Sequence, residues 1–155
     1  LYKRFGFIDV LDQGPSDTQG TNLAWLRIFL QAELLWDTDA DFEGLISEFC
    51  EHFYKAAAPH MLQYISAIRN RYIEIEKYLA EIGESFHARP STRFSSLWEQ
   101  GDFWPKKFVY GLLGILQKAE EAAQTIGDDA VRQKVLFRIR TESLTPRYMQ
   151  INFYG

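Results

Sequence analysis

The stretch Asp37-Thr38-Asp39-Ala40-Asp41-Phe42-Glu43-Gly44-Leu45-Ile46-Ser47-Glu48-Phe49-Cys50-Glu51-His52-Phe53-Tyr54 carries the clearest periodic pattern in the chain. Phe42, Leu45, Ile46, Phe49 and Phe53 recur at the three- and four-residue spacing that places them on one side of an α-helix. The acidic run before them breaks whatever precedes and offers cap carboxylates to that helix. This amphipathic stripe predicts a packed helix rather than a strand.

Outward from it the same pattern repeats. Residues 22–36 carry Leu23, Leu26, Phe29, Leu30 and Leu34 among strong helix formers, which fits a well-buried helix. Ala56-Ala57-Ala58-Pro59 forms a junction, with Pro59 suited to a first turn. A long helix follows to about residue 82, with Met61, Leu62, Ile65, Ile68, Tyr72, Ile75 and Leu79 on one side and Gly83 as C-terminal cap. Residues 84–102 are irregular, with Pro90 and a short helix expected around 94–98. A fourth helix is expected over 103–126. A fifth, capped by Asp128 or Asp129, should run towards Pro146, which should end or kink it. The expected class is therefore mainly α, with about five long helices in a bundle-like array.

Residues 2–11 differ. Phe5, Phe7, Ile8, Val10 and Leu11 read as a β-strand, stopped by Asp12-Gln13-Gly14-Pro15. No second strand is evident, and a lone strand leaves its backbone groups unpaired. Its sheet is expected in preceding sequence. The chain opens on Leu1 without an initiator Met or signal peptide, so it reads as a segment of something longer.

Bulk properties narrow the function classes. The 155 residues suit one domain, and 46% hydrophobic with 25% charged content is normal for a globular protein. A net charge of −4 offers no broad basic face for a phosphate backbone, so nucleic acid is not an expected partner. One cysteine, Cys50, excludes an internal disulfide and a cysteine-based zinc cage. No apolar run approaches the length of a membrane span. Aromatic residues make up 15% of the chain; most are expected in the core, and a surplus also suits sugar stacking, which composition does not separate from packing.

Few residues carry chemistry. Asp37, Asp39, Asp41 and Glu48 match positions of a calcium loop, but Phe42 stands where the turn needs Gly, so capping is the better reading. Cys50 and His52, two apart, do not share a helix face and make no metal pair. No metal site and no cofactor is expected. Trp98 and Trp104 could be stacking rings of a sugar-contacting loop, flanked by Glu99, Asp102, Lys106 and Lys107. The competing and favoured reading is a hydrophobic staple, with Phe103 or Trp104 packed on Phe108 and Asp102 as cap. Asp9 and Asp12, three apart in a strand, point to opposite faces and are no ready acid/base pair. Asp12 and Gln13 nevertheless lie at the strand's C-terminal end, which is the active-site face if the strand belongs to a (β/α)₈ barrel.

Three stretches resemble a known family. They are Leu26-Arg27-Ile28-Phe29-Leu30-Gln31-Ala32-Glu33-Leu34-Leu35-Trp36-Asp37, then Asp41 with Leu45 to Cys50 leading through Phe53-Tyr54 to Ala56-Ala57-Ala58-Pro59, and the pair formed by 119–123 with Val131-Arg132 and Arg138-Ile139-Arg140. Together they resemble the domain of unknown function 4838, found in large bacterial proteins related to glycoside hydrolases. The Leu-Leu-Trp-Asp step is also similar to the C-terminal region of α-glucuronidases. Lys55 departs from the pattern, standing where the resemblance leads one to expect Gly.

The resemblance implies an upstream (β/α)₈ barrel in the same parent protein, with residues 1–36 as its last strand and helix. Residues 37–155 would be a helical accessory domain supporting the barrel and lining its glycan cleft. It further implies export in a bacterium and contact with a glycan through the parent. It carries over no catalytic residue, and this segment alone holds no complete active site. The rival expectation is a free-standing helical module that binds another protein through an aromatic surface.

Overall fold

The computed structural model describes residues 22–83 and 101–155, which form five α-helices. They are α1 (Ala24–Trp36), α2 (Phe42–Tyr54), α3 (Ala58–Glu81), α4 (Lys106–Ala123) and α5 (Asp129–Tyr154). Short 3₁₀ turns occupy Lys55–Ala57 and Gly101–Phe103. The chain is mainly helical, as its periodicity requires. The expected strand over 2–11 and short helix over 94–98 lie outside the described residues.

The caps explain where the helices begin. Asp41 is the N-cap of α2, its Oδ1 accepting from the Glu43 backbone N–H at 3.2 Å. Gly44 leaves room for that carboxylate, since a Cβ there would lie 2.6 Å from Asp41 Oδ2. Asp128 caps α5 by accepting from the Val131 N–H at 2.9 Å. At the far end of α3, Gly83 takes φ 75° and its N–H reaches the Ala80 carbonyl at 3.1 Å.

The α2–α3 junction is tight in spite of its sequence. Lys55 adopts φ 52°, ψ −124°, a conformation natural to glycine and strained for any side chain. The turn thus forms with lysine where the family resemblance led to an expected glycine. Ala57 and Ala58 are buried immediately after it, so the helices approach closely there.

Two boundaries correct the expectations. The fourth helix begins at Lys106 rather than 103, because Pro105 pushes Trp104 out of the helical region and leaves Gly101–Phe103 as a 3₁₀ turn. The fifth helix does not end at Pro146 but continues to Tyr154, for a reason given below.

Packing runs between chain neighbours: α2 on α3, α3 on α4, and α4 on α5. The main core joins Phe49, Cys50 and Tyr54 of α2 to Met61, Tyr64 and Ile65 of α3, Leu112 and Leu116 of α4, and Val135 and Ile139 of α5. A second cluster of Ile75, Leu79, Trp104, Val109 and Met149 closes the other end. Helix α1 is attached more lightly, against α2 mainly, through Leu26 and the Phe29–Phe49 ring contact at 5.3 Å.

Candidate functional site

The buried side of α5 runs Val135, Ile139, Glu142, Pro146, Met149, spaced by three and four. One member of that register is a carboxylate. Glu142 is 2% exposed and makes no ion pair among the described residues. Its Oε2 accepts the Leu23 backbone N–H at 2.7 Å, and the Tyr54 hydroxyl donates to Oε1 at 3.5 Å. Glu142 therefore ties the start of α1, through a residue held at φ 55°, to the middle of the bundle.

Pro146 belongs to the same arrangement. Proline has no N–H, so the carbonyl four residues earlier, that of Glu142, loses its helical partner. The Tyr64 hydroxyl of α3 lies 3.2 Å from that carbonyl and replaces the missing bond. The same hydroxyl is 3.0 Å from the Asn22 side-chain amide. The atom facing it is the amide oxygen Oδ1, so the single hydroxyl hydrogen is shared between that oxygen and the Glu142 carbonyl. The helix passes through the proline because a side chain from another helix accepts its cost. Among the described residues no buried side-chain nitrogen or oxygen lacks a partner.

Burial raises the Glu142 carboxyl from 4.5 to about 7, against the opposing pull of the Leu23 N–H and the Tyr54 hydroxyl. Burial and then the Glu142 charge push the hydroxyls of Tyr54 and Tyr64 well up, so both stay neutral donors. Cys50 is pushed up to about 12, first by burial and then by Glu51, so its thiol is inert. Enclosed as it is, this cluster tethers helices and does not meet substrate.

The accessible site lies next to it. A groove of about 650 Å³ opens between α1, α3 and α5, with Asn22, Leu23 and Arg27 on one wall, Ile65, Ile68, Arg69 and Tyr72 on another, and Leu144, Thr145 and Tyr148 on the third. Such a volume is within the range of small-molecule sites. Its lining is apolar with polar groups at the rim. Sequence reading alone did not find it, although a glutamate in core register four residues before a proline marks the helix that forms it.

The residues singled out by sequence fall elsewhere. Asp12, Gln13 and Trp98 lie outside the described residues. Trp104 is 0% exposed and corrects the sugar-stacking expectation, because neither ring face is open. Its ring packs 5.9 Å from Phe108 and edge-on to Tyr72 at 5.7 Å, which is the packing alternative. The calcium-like spacing resolves into caps: Asp37 accepts from the Asp39 N–H at 2.9 Å, and Asp41 opens α2. Cys50 is buried while His52 faces outward. Among the described residues no group of three or more His, Cys, Asp or Glu could hold a metal ion.

Residues 1–66 match the family model "Domain of unknown function (DUF4838)". The DUF4838 match supports the resemblance over its first two stretches and takes in α1, α2 and the first turns of α3. It includes Tyr54, Tyr64 and Arg27 and stops before α4 and α5, so Glu142 and the third stretch lie beyond it. No curated protein and no solved structure matches the chain.

Proposed function

We propose that this chain is the C-terminal helical domain of a glycoside hydrolase-like, carbohydrate-active bacterial protein, supporting an upstream (β/α)₈ barrel and lining its glycan cleft. The DUF4838 match supports the family side of this reading. The observation that carries it is the outer face of α1, where Trp25, Ile28, Leu35 and Trp36 are all exposed, Trp36 at 92%. Their spacing makes one exposed apolar stripe, of which Trp25 also meets the Phe53 ring of α2 at 6.4 Å. A stripe of that size on the most lightly attached helix is a surface suited to a partner domain. In this reading residues 1–36 belong to the barrel, 37–155 form the accessory domain, and the parent is exported. Asp12, Gln13 and Trp98 are the residues assigned to the glycan. Among the described residues no helix is long and apolar enough to cross a membrane.

Two measurements test it. The chain expressed alone should bind a neutral apolar dye, and Trp25→Glu with Trp36→Glu should weaken that binding; a chain that binds none, or a double variant that binds as the unchanged chain does, counts against barrel docking. In the parent protein, Asp12→Ala or Gln13→Ala should impair glycan binding or turnover, and unchanged kinetics at both would remove them from the site.

A second reading, a protein-interaction module, is favoured by another stripe. Phe137, Leu144, Tyr148 and Ile151 form an exposed stripe along α5, of which Leu144 and Tyr148 also border the groove. Side-chain oxidation footprinting of the intact protein separates the two. Protection of Trp25 and Trp36 belongs to the barrel reading, and protection of Phe137 and Ile151 upon addition of a partner belongs to the module.

A further inference from the structure

We infer that the groove between α1, α3 and α5 binds a small ligand carrying one carboxylate on an apolar body. The inference does not depend on the carbohydrate reading. Two guanidinium groups border the groove, and among the described residues that line it none is a carboxylate. Arg69 is already engaged, paired with Glu43 and seated 5.9 Å from the Phe42 ring. Arg27 has neither a side-chain hydrogen bond nor an ion pair among the described residues. It nevertheless stands close enough to Tyr72 for its charge to act on that hydroxyl.

The groove therefore presents one planar cation, uncommitted among the described residues, beside an apolar lining of Leu23, Ile65, Ile68 and Leu144. A carboxylate matches a single guanidinium with two parallel hydrogen bonds. A doubly charged phosphate would need more donors than this rim supplies, and a cation would meet two like charges. The apolar lining, with Tyr72 and Tyr148, takes a hydrocarbon or aromatic body by displacing water. A body covered in hydroxyls would leave many of them unpaired against that lining.

Binding to the 155-residue chain by calorimetry provides the test, with phenylbutyrate, octanoate, glucuronate and the neutral phenylbutyramide as probes. Phenylbutyrate or octanoate should bind, the amide should bind about tenfold more weakly, and Arg27→Ala should weaken the acids by about tenfold, in keeping with loss of a charge-assisted pair. Which of the two acids binds tighter distinguishes an aromatic from an aliphatic body. Arg27→Lys should keep part of the affinity, and an unchanged melting temperature in both variants shows that the groove is intact. The inference is overturned if glucuronate binds best, if the amide equals the acid, if Arg27→Ala changes nothing, or if no acid binds.

Discussion

The two ends of the bundle solve the same problem with opposite chemistry. Around Trp104 the enclosed groups are apolar, with Ile75, Leu79, Val109 and Met149 about the indole and the Tyr154 hydroxyl donating to the Trp104 carbonyl. Around Glu142 the enclosed groups are polar: a carboxylate, two tyrosine hydroxyls, an amide and a backbone N–H. In each a tyrosine hydroxyl on one segment satisfies a backbone carbonyl on another. The apolar end gains mainly from burial. The polar end must satisfy every group it encloses, and it stays responsive to protons because one of those groups titrates. It is also the end that holds α1 and borders the open groove.

Removing the indole should give the largest effect. Trp104→Ala should cost about 3–5 kcal/mol, the usual result of emptying a large aromatic site. The buried side chains of that cluster are apolar, so urea denaturation should return the same loss at acidic and mildly basic pH. A loss that varies with pH would erase the contrast between the two ends.

The polar end should show the reverse. The fold raises the Glu142 carboxyl from 4.5 to about 7, so the folded chain holds this proton more tightly than the unfolded chain does. The Glu142 contribution to stability is thus full below 4.5 and declines as pH rises to about 7. At about 1.4 kcal/mol per pH unit, the decline amounts to about 3 kcal/mol. Glu142→Gln removes the titration while its amide can still accept from Leu23 and donate to Tyr54. The variant should therefore gain on the parent chain as pH rises across that window. Parallel curves for the two proteins would show that Glu142 titrates normally.

How much of this was legible depends on how local the cause is. The α2 stripe, the Asp41 and Asp128 caps and the Gly83 terminus are each decided within a few residues, and sequence spacing identifies them. The passage of α5 through Pro146 is decided by Tyr64, 78 positions from the carbonyl it serves, and no local pattern contains that partner. Trp104 sits in a stretch whose charges look equally suited to a loop, and only the second core cluster shows that the ring is enclosed. The groove is less legible still, because Arg27, Tyr72 and Tyr148 come from three helices that meet only in the folded chain.

Lys55 adjoins Tyr54, the α2 member of the polar end, and its strain is a cost that the apolar end does not carry. Lys55→Gly should remove it and stabilise the chain by about 1 kcal/mol, the balance of relieved strain over glycine's extra unfolded freedom. Thermal melts of Lys55→Gly and Lys55→Ala make the comparison, since alanine keeps the Cβ and should gain nothing. Equal gains would trace the effect to the lysine side chain instead of to the backbone.

The smallest effect tests whether the polar end works as one unit. Tyr64→Phe alone should cost about 1–3 kcal/mol, because it strands the Glu142 carbonyl that Pro146 has already left without a helical donor. Pro146→Ala restores an N–H four residues along and gives that carbonyl its ordinary partner. In the Pro146→Ala background the cost of Tyr64→Phe should therefore shrink, by about 1 kcal/mol, since the carbonyl is no longer stranded. The Asn22 contact is lost in both backgrounds and cancels from the cycle. The same cycle built from Tyr154→Phe and Pro146→Ala should show no coupling, because Tyr154 serves Trp104 at the other end. Additivity in the first cycle would mean that α5 tolerates its proline without help from Tyr64.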